Sequence, residues 1–129
     1  MPEVIFQGPD GRLEGRYHPQ KERDAPIAIV LHPHPQYGGT MNNRVVYNLH
    51  YAFHRMGFTV LRFNFRGVGQ SDGQYDEGRG EASDLLAVVA RFARALREST
   101  AVDQRSGVSA RFAIAGVETI AASALHRAT

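Results

Sequence analysis

Two loops in this sequence carry residue types able to do chemistry. The first is Leu31-His32-Pro33-His34-Pro35-Gln36-Tyr37-Gly38-Gly39-Thr40-Met41-Asn42-Asn43, which joins an apolar run to a helical pattern. Its prolines stiffen the chain and its paired glycines free it, so backbone N–H groups can turn toward one point. Donors held in place before charge develops are what an oxyanion needs. The same residues also suit a tight strand-to-helix connection with no ligand. The second loop is Asn64-Phe65-Arg66-Gly67-Val68-Gly69-Gln70-Ser71-Asp72-Gly73. Its glycines permit a close turn, and Arg66 and Asp72 can fix it by polar contacts. Gly67-x-Gly69 opens a phosphate-loop pattern, but Asp72 stands where the third glycine belongs. A dinucleotide site needs a helix N-terminus at the pyrophosphate, and residues 74–80 separate this loop from the next helix.

The elements that must position these loops follow from periodicity. Val4-Ile5-Phe6 and Leu13 to Tyr17 flank Gly8-Pro9-Asp10-Gly11, a turn sequence, so a β-hairpin is expected. Ile27-Ala28-Ile29-Val30-Leu31 is continuously apolar, as a strand buried on both faces requires. Asn43 is placed to cap a helix, with Val45, Leu49, Ala52, Phe53 and Met56 on one stripe and Gly57 as its stop. A second strand is expected from Phe58 to Phe65. The following helix carries Leu85, Val89, Phe92 and Leu96 on one face, with Asp84, Arg91 and Arg94 away from it. Hairpin, strand, helix, strand, helix is the order of an α/β fold with parallel strands and crossover helices.

Composition narrows the function classes. The 129 residues suit one small domain, and a net charge of +2 with scattered basic residues argues against a nucleic-acid face. Cysteine is absent, which excludes disulfides, thiolate metal sites and a cysteine nucleophile. The first residues lack the basic and apolar regions of a signal peptide, and no apolar run is long enough to cross a bilayer. A cytoplasmic protein without membrane contact is therefore expected. The six histidines invite a metal reading. His50 and His54 lie four apart on a helix, but no Glu follows the first, and both fall off the apolar stripe, toward solvent. Neither a metal nor a cofactor is expected. Tyr47 and Tyr51 read as surface or interface aromatics.

Taken together, the two loops resemble the α/β-hydrolase superfamily, and within it the bacterial dienelactone-hydrolase-like and esterase-like group. The resemblance rests on a strand ending in His-Pro-His-Pro-x-x-Gly-Gly-Thr-Met-x-Asn, a helix, and a strand ending in Asn-Phe-Arg-Gly-x-Gly-x-Ser-x-Gly. It covers roughly the first three quarters of the chain. It implies a serine hydrolase lineage acting on a small ester-like substrate, with no cofactor. It also implies an oxyanion-hole loop of His32, Pro33, His34, Tyr37, Gly38 and Gly39. Arg66, Gly67, Gly69, Ser71, Asp72 and Gly73 would form a structural loop after the second core strand.

Residues 98–129 differ in character from 1–97, being rich in Ala, Ser, Thr and Arg. Residues 112–116 suit a short strand and 120–125 a short helix. At the place expected for the nucleophile elbow stands Gly116-Val117-Glu118-Thr119-Ile120, with Glu for Ser and Ile for Gly. Gly107-Val108-Ser109-Ala110-Arg111 lacks the closing glycine and a preceding strand. His126 is the only later histidine. Two accounts fit: a frameshifted or truncated copy of a hydrolase without catalytic residues, or a noncatalytic α/β module that binds a partner or ligand.

Overall fold

The computed structural model describes residues 3–22, 24–99 and 112–116. Strand β1 (Glu3–Gly8) and strand β2 (Gly11–His18) form the expected hairpin, closed at Gly8↔Gly11 with Pro9 and Asp10 at its tip. Strand β3 (Ile27–Leu31) leads through a 3₁₀ turn (Pro35–Tyr37) into helix α1 (Arg44–Arg55). Strand β4 (Thr59–Phe63) leads by a longer loop into helix α2 (Arg79–Ser99), and strand β5 (Phe112–Gly116) follows. The strands form one mixed sheet in the order β1-β2-β4-β3-β5. The strand pairs β3–β4 and β3–β5 are parallel, whereas β2 runs antiparallel to β4.

Both faces of β3 are covered, which is why all five of its residues are buried. On one face Ile27, Ile29, Leu31, Leu61 and Phe63 pack with Phe6 and Leu13 of the hairpin and with Leu85, Val88 and Phe92 of α2. On the other, Ala28, Val30 and Val60 pack with Val46 of α1, and Leu49, Phe53 and Phe58 lie against them. Each fully buried aliphatic or aromatic side chain contributes on the order of 1.5–3 kcal/mol. No helix among the described residues is long and apolar enough to cross a membrane.

Three details depart from the sequence reading. First, β4 is shorter than the expected Phe58 to Phe65, running from Thr59 to Phe63, and past its end the Phe65 N–H donates to the His32 ring in place of a neighbouring strand. Second, α1 keeps Leu49 and Phe53 of the expected stripe against the core but turns Val46 and His50 inward in place of Val45 and Met56. Val46 and His50 are buried, while Val45 and Met56 are exposed. The cause is Arg62, which rises from β4 into this face and donates from Nη1 to His50 Nδ1 at 3.0 Å. Its guanidinium also lies over the Tyr47 ring, 5.5 Å from the centroid. Third, Asp84 sits off the apolar stripe of α2 but is 0% exposed, because Arg66 meets it there. The helix expected at 120–125 lies outside the described residues.

Candidate functional site

The chain leaves β3 to reach β4 on one side, then crosses back to β5 on the other. The crevice at the carboxyl end of β3 is therefore a topological switch point, where open α/β sheets bind ligands. The loop from His32 to Asn43 lies there. Its two ends are pinned. At the entry, the Phe65 N–H donates to His32 Nε2 at 3.1 Å. Nδ1 must then carry the ring proton, and it lies 2.7 Å from the Pro33 carbonyl. Burial holds this ring below the ordinary imidazole range, so it stays neutral. At the exit, the Met41 N–H donates to Asn64 Oδ1 at 2.8 Å and Arg62 Nε donates to the Met41 carbonyl at 3.0 Å. Asn43 Oδ1 then caps α1 by accepting from the Val45 N–H at 2.9 Å.

Between the pins, most amides are engaged locally. Those of Tyr37 and Gly39 donate to the His34 carbonyl, that of Gln36 to His34 Nδ1, and that of Asn42 to Thr40 Oγ1. Pro33 and Pro35 have none to offer. The amides of His34, Gly38 and Thr40 have no partner among the described residues. Gly38 adopts a left-handed φ of 79°. Gly39 is packed so tightly that a side-chain carbon there would strike the Pro33 carbonyl. Tyr37 is 85% exposed, its ring edge-on to that of His34. The loop thus holds unpartnered N–H donors on a braced backbone, an arrangement able to stabilise a developing oxyanion.

The second loop is braced differently. The Arg66 backbone N–H donates to Asp84 Oδ2 at 3.0 Å, and its guanidinium Nη2 meets Oδ1 at 2.9 Å. Hydrogen bonding to Asp84 holds the Arg66 pKa above its ordinary value. Gly67 N–H donates to the Asp72 carbonyl, and Asp72 Oδ2 accepts from the Arg12 N–H on β2. Glu14 Oε1 accepts from Asn64 Nδ2 and from the Gln70 N–H. The parts played by Glu14 and Asp84 leave no mark in the sequence, because each depends on a partner far along the chain.

Gly69-Gln70-Ser71-Asp72-Gly73 has the G-x-S-x-G spacing of a nucleophile elbow, well before the tail where the elbow was expected. The geometry is not that of an elbow. Ser71 is buried, its Oγ donates to the Asn64 carbonyl at 2.7 Å and accepts from the Glu14 N–H at 3.0 Å, and no helix begins before Arg79. An elbow serine instead stands exposed on a strand-to-helix turn. Ser71 ties the loop to β2. Ser109 and the 117–120 segment lie outside the described residues.

The histidines also require correction. His50, expected in solvent, is 0% exposed, and His54 is half-buried. His18 from β2 stacks on His54 with centroids 3.4 Å apart and lies 5.7 Å from His50. Arg62 can only donate, so His50 Nδ1 accepts and Nε2 carries the proton, which prevents Nε2 from ligating a metal. Burial, then Arg62, pushes the His50 pKa down to about 3. Among the described residues no cluster of His, Asp and Glu could hold a metal ion.

Comparison with known proteins shows which family and fold this chain shares. Residues 15–116 match the family described as X-Pro dipeptidyl-peptidase (S15 family), so the match runs past residue 97 and takes in β5. An uncharacterized protein of Rickettsia prowazekii is 57% identical over 89 residues, which are 69% of this chain and 37% of that one. A solved structure from Agrobacterium tumefaciens, described as an alpha/beta hydrolase candidate of unknown function, is 49% identical with a TM-score of 0.81, covering 98% of this chain and 55% of that one. An α/β serine hydrolase without a lid from Xanthomonas campestris is 35% identical with a TM-score of 0.77, covering 98% of this chain and 54% of that one. A serine hydrolase homologue from Coxiella burnetii is also 35% identical, with a TM-score of 0.76 over 98% of this chain and 56% of that one. The chain thus spans from about a third to just over half the length of these relatives. With its family match covering most of its length and its fold shared with these structures, the chain belongs to the X-Pro dipeptidyl-peptidase (S15) family of the α/β-hydrolase superfamily.

Proposed function

We propose that this chain carries the oxyanion-loop side of a serine-hydrolase-type site for an ester or related acyl bond. The observation that supports the reading is that the His34 amide, with those of Gly38 and Thr40, has no partner among the described residues at the carboxyl end of β3. An acyl oxygen becomes an oxyanion when a nucleophile adds to its carbonyl carbon, and fixed N–H donors stabilise that charge. The two motif loops favour a small substrate of the dienelactone-hydrolase-like or esterase-like kind.

We further propose that these 129 residues do not turn over an ester by themselves. Ser71 is held in structural hydrogen bonds, and residues 116–120 put Glu where the nucleophile belongs. The test is hydrolysis of a short-acyl nitrophenyl ester by the purified chain, followed as nitrophenolate release. The expected result is a rate equal to the uncatalysed background, unchanged by Ser71→Ala or Ser109→Ala. Turnover above background would refute this proposal, and its loss in Ser109→Ala, or in a Ser71→Ala chain that keeps the parent's melting temperature, would identify the nucleophile.

A further inference from the structure

The His34 side chain reaches two partners. Nδ1 accepts from the Gln36 N–H at 3.0 Å, so the ring proton of the neutral imidazole sits on Nε2. Nε2 lies 3.2 Å from the hydroxyl of Tyr75, 41 residues further along the chain. The phenol oxygen therefore accepts, and its own hydrogen has no acceptor among the described residues. The two rings lie 5.3 Å apart at 35°, and Tyr37 also meets the His34 ring edge-on. Burial first, then the nearby Glu81 and Glu77, holds the Tyr75 pKa above the ordinary value, so the group remains a phenol able to donate.

The backbone that delivers Tyr75 is specialised. Glu77, two residues on, adopts a left-handed φ of 52°, alone among the described non-glycine residues. Glu81 accepts from the Asp76 N–H at 3.0 Å and the Gly78 N–H at 2.9 Å. A strained conformation at a side chain is a left-handed cost that persists only where the surroundings hold it. Here they hold the segment that lays Tyr75 against the donor loop.

We propose that Tyr75 is a positioning residue for the donor loop: its hydroxyl takes the hydrogen bond from His34 Nε2 and thereby keeps the His34 amide aimed at a bound acyl oxygen. A carboxylate or an ester presents such an oxygen, which makes it the fitting class. The inference rests on the acyl-site reading above.

The test uses the full chain, labelled with ¹⁵N, and benzoate as a carboxylate probe. Imidazole ¹⁵N spectra should show His34 with its lone pair on Nδ1 and its proton on Nε2. Benzoate should shift the His34, Gly38 and Thr40 amides. Tyr75→Phe keeps the ring and removes only the hydroxyl. It should speed solvent exchange of the His34 Nε2 proton and weaken benzoate about threefold to tenfold, the value of one neutral hydrogen bond. Amide dispersion in the same spectra reports whether the variant is folded. Tyr75→Leu separates ring from hydroxyl: a defect in Leu but not in Phe means packing alone, and overturns the proposal. If benzoate shifts the loop amides and Tyr75→Phe changes neither exchange nor affinity, the Tyr75 inference fails and the acyl-site reading stands. If benzoate shifts none of those amides, the acyl-site reading itself fails, whatever Tyr75→Phe does to His34.

Discussion

The loops after β3 and β4 leave the same edge of the same sheet, yet they are built in opposite ways. In the loop after β4, side chains are the bracing: Arg66 is clasped by Asp84, Ser71 bridges two backbone groups, and Glu14 reaches in from β2. In the loop after β3, the two ends are held by His32, Asn64 and Arg62, and the amides of His34, Gly38 and Thr40 have no partner among the described residues. On the proposed acyl-site reading, a loop that offers N–H groups to a ligand cannot use them all to hold itself in place. Its rigidity comes instead from neighbours, and the loop after β4 is the neighbour. The difference predicts that damage to the second loop should reach the first, whereas damage confined to the first should stay local.

The largest effect should come from Asp84→Ala. It leaves the Arg66 guanidinium buried without its main partner, and breaking a buried pair costs about 3–5 kcal/mol. Denaturant unfolding should show that loss, and the amides of Met41 and Phe65 should exchange faster because both loops loosen. A loss below about 1 kcal/mol, the scale of an exposed ion pair, would mean that the Asp84 contact is not what holds the second loop.

Acid should act next. His32 and His50 are both held neutral with pKa values below the ordinary range, His50 at about 3. The unfolded chain binds these protons more readily, so stability is full above about pH 6.5 and falls as pH drops from there toward 3. His50 alone should remove about 2 kcal/mol between pH 7 and pH 5. Melts at the two pH values would show it, and His50→Gln should flatten the dependence. Equal stability at both pH values would contradict the proton placement assigned to the two rings.

The smallest effect should come from Asn43→Ala. It removes the cap of α1 at the far end of the donor loop and should cost about 1 kcal/mol. Amide exchange should rise in the first turn of α1 and leave Arg66 to Gly73 unchanged. If exchange rose in the second loop as well, the two loops would be a single unit and the contrast between them would fail.

Much of the frame was legible beforehand. The hairpin, β3, the Asn43 cap and the Gly57 stop all follow from turn chemistry and local periodicity. Even the strand at 112–116 was visible in a segment of otherwise shifted composition. On α1, Leu49 and Phe53 follow from periodicity, but the inward face at His50 answers to Arg62 on another strand, and an arginine within an apolar run gives no sign of which helix will accept it. His50 was placed in solvent for the same reason.

The sequence by itself determined the order of elements, the two loops at the ends of β3 and β4, and the absence of any thiol chemistry. These depend on residues close together along the chain, whose preferences act before any distant contact forms. Tertiary structure alone decided that Ser71 is a brace despite its elbow spacing. It also decided that Asp84 and His50 are buried, and that Tyr75 meets His34 across 41 residues. Each of these depends on which groups the folded sheet brings within about 3 Å, and hydrogen bonding is decided at that range rather than by spacing along the chain.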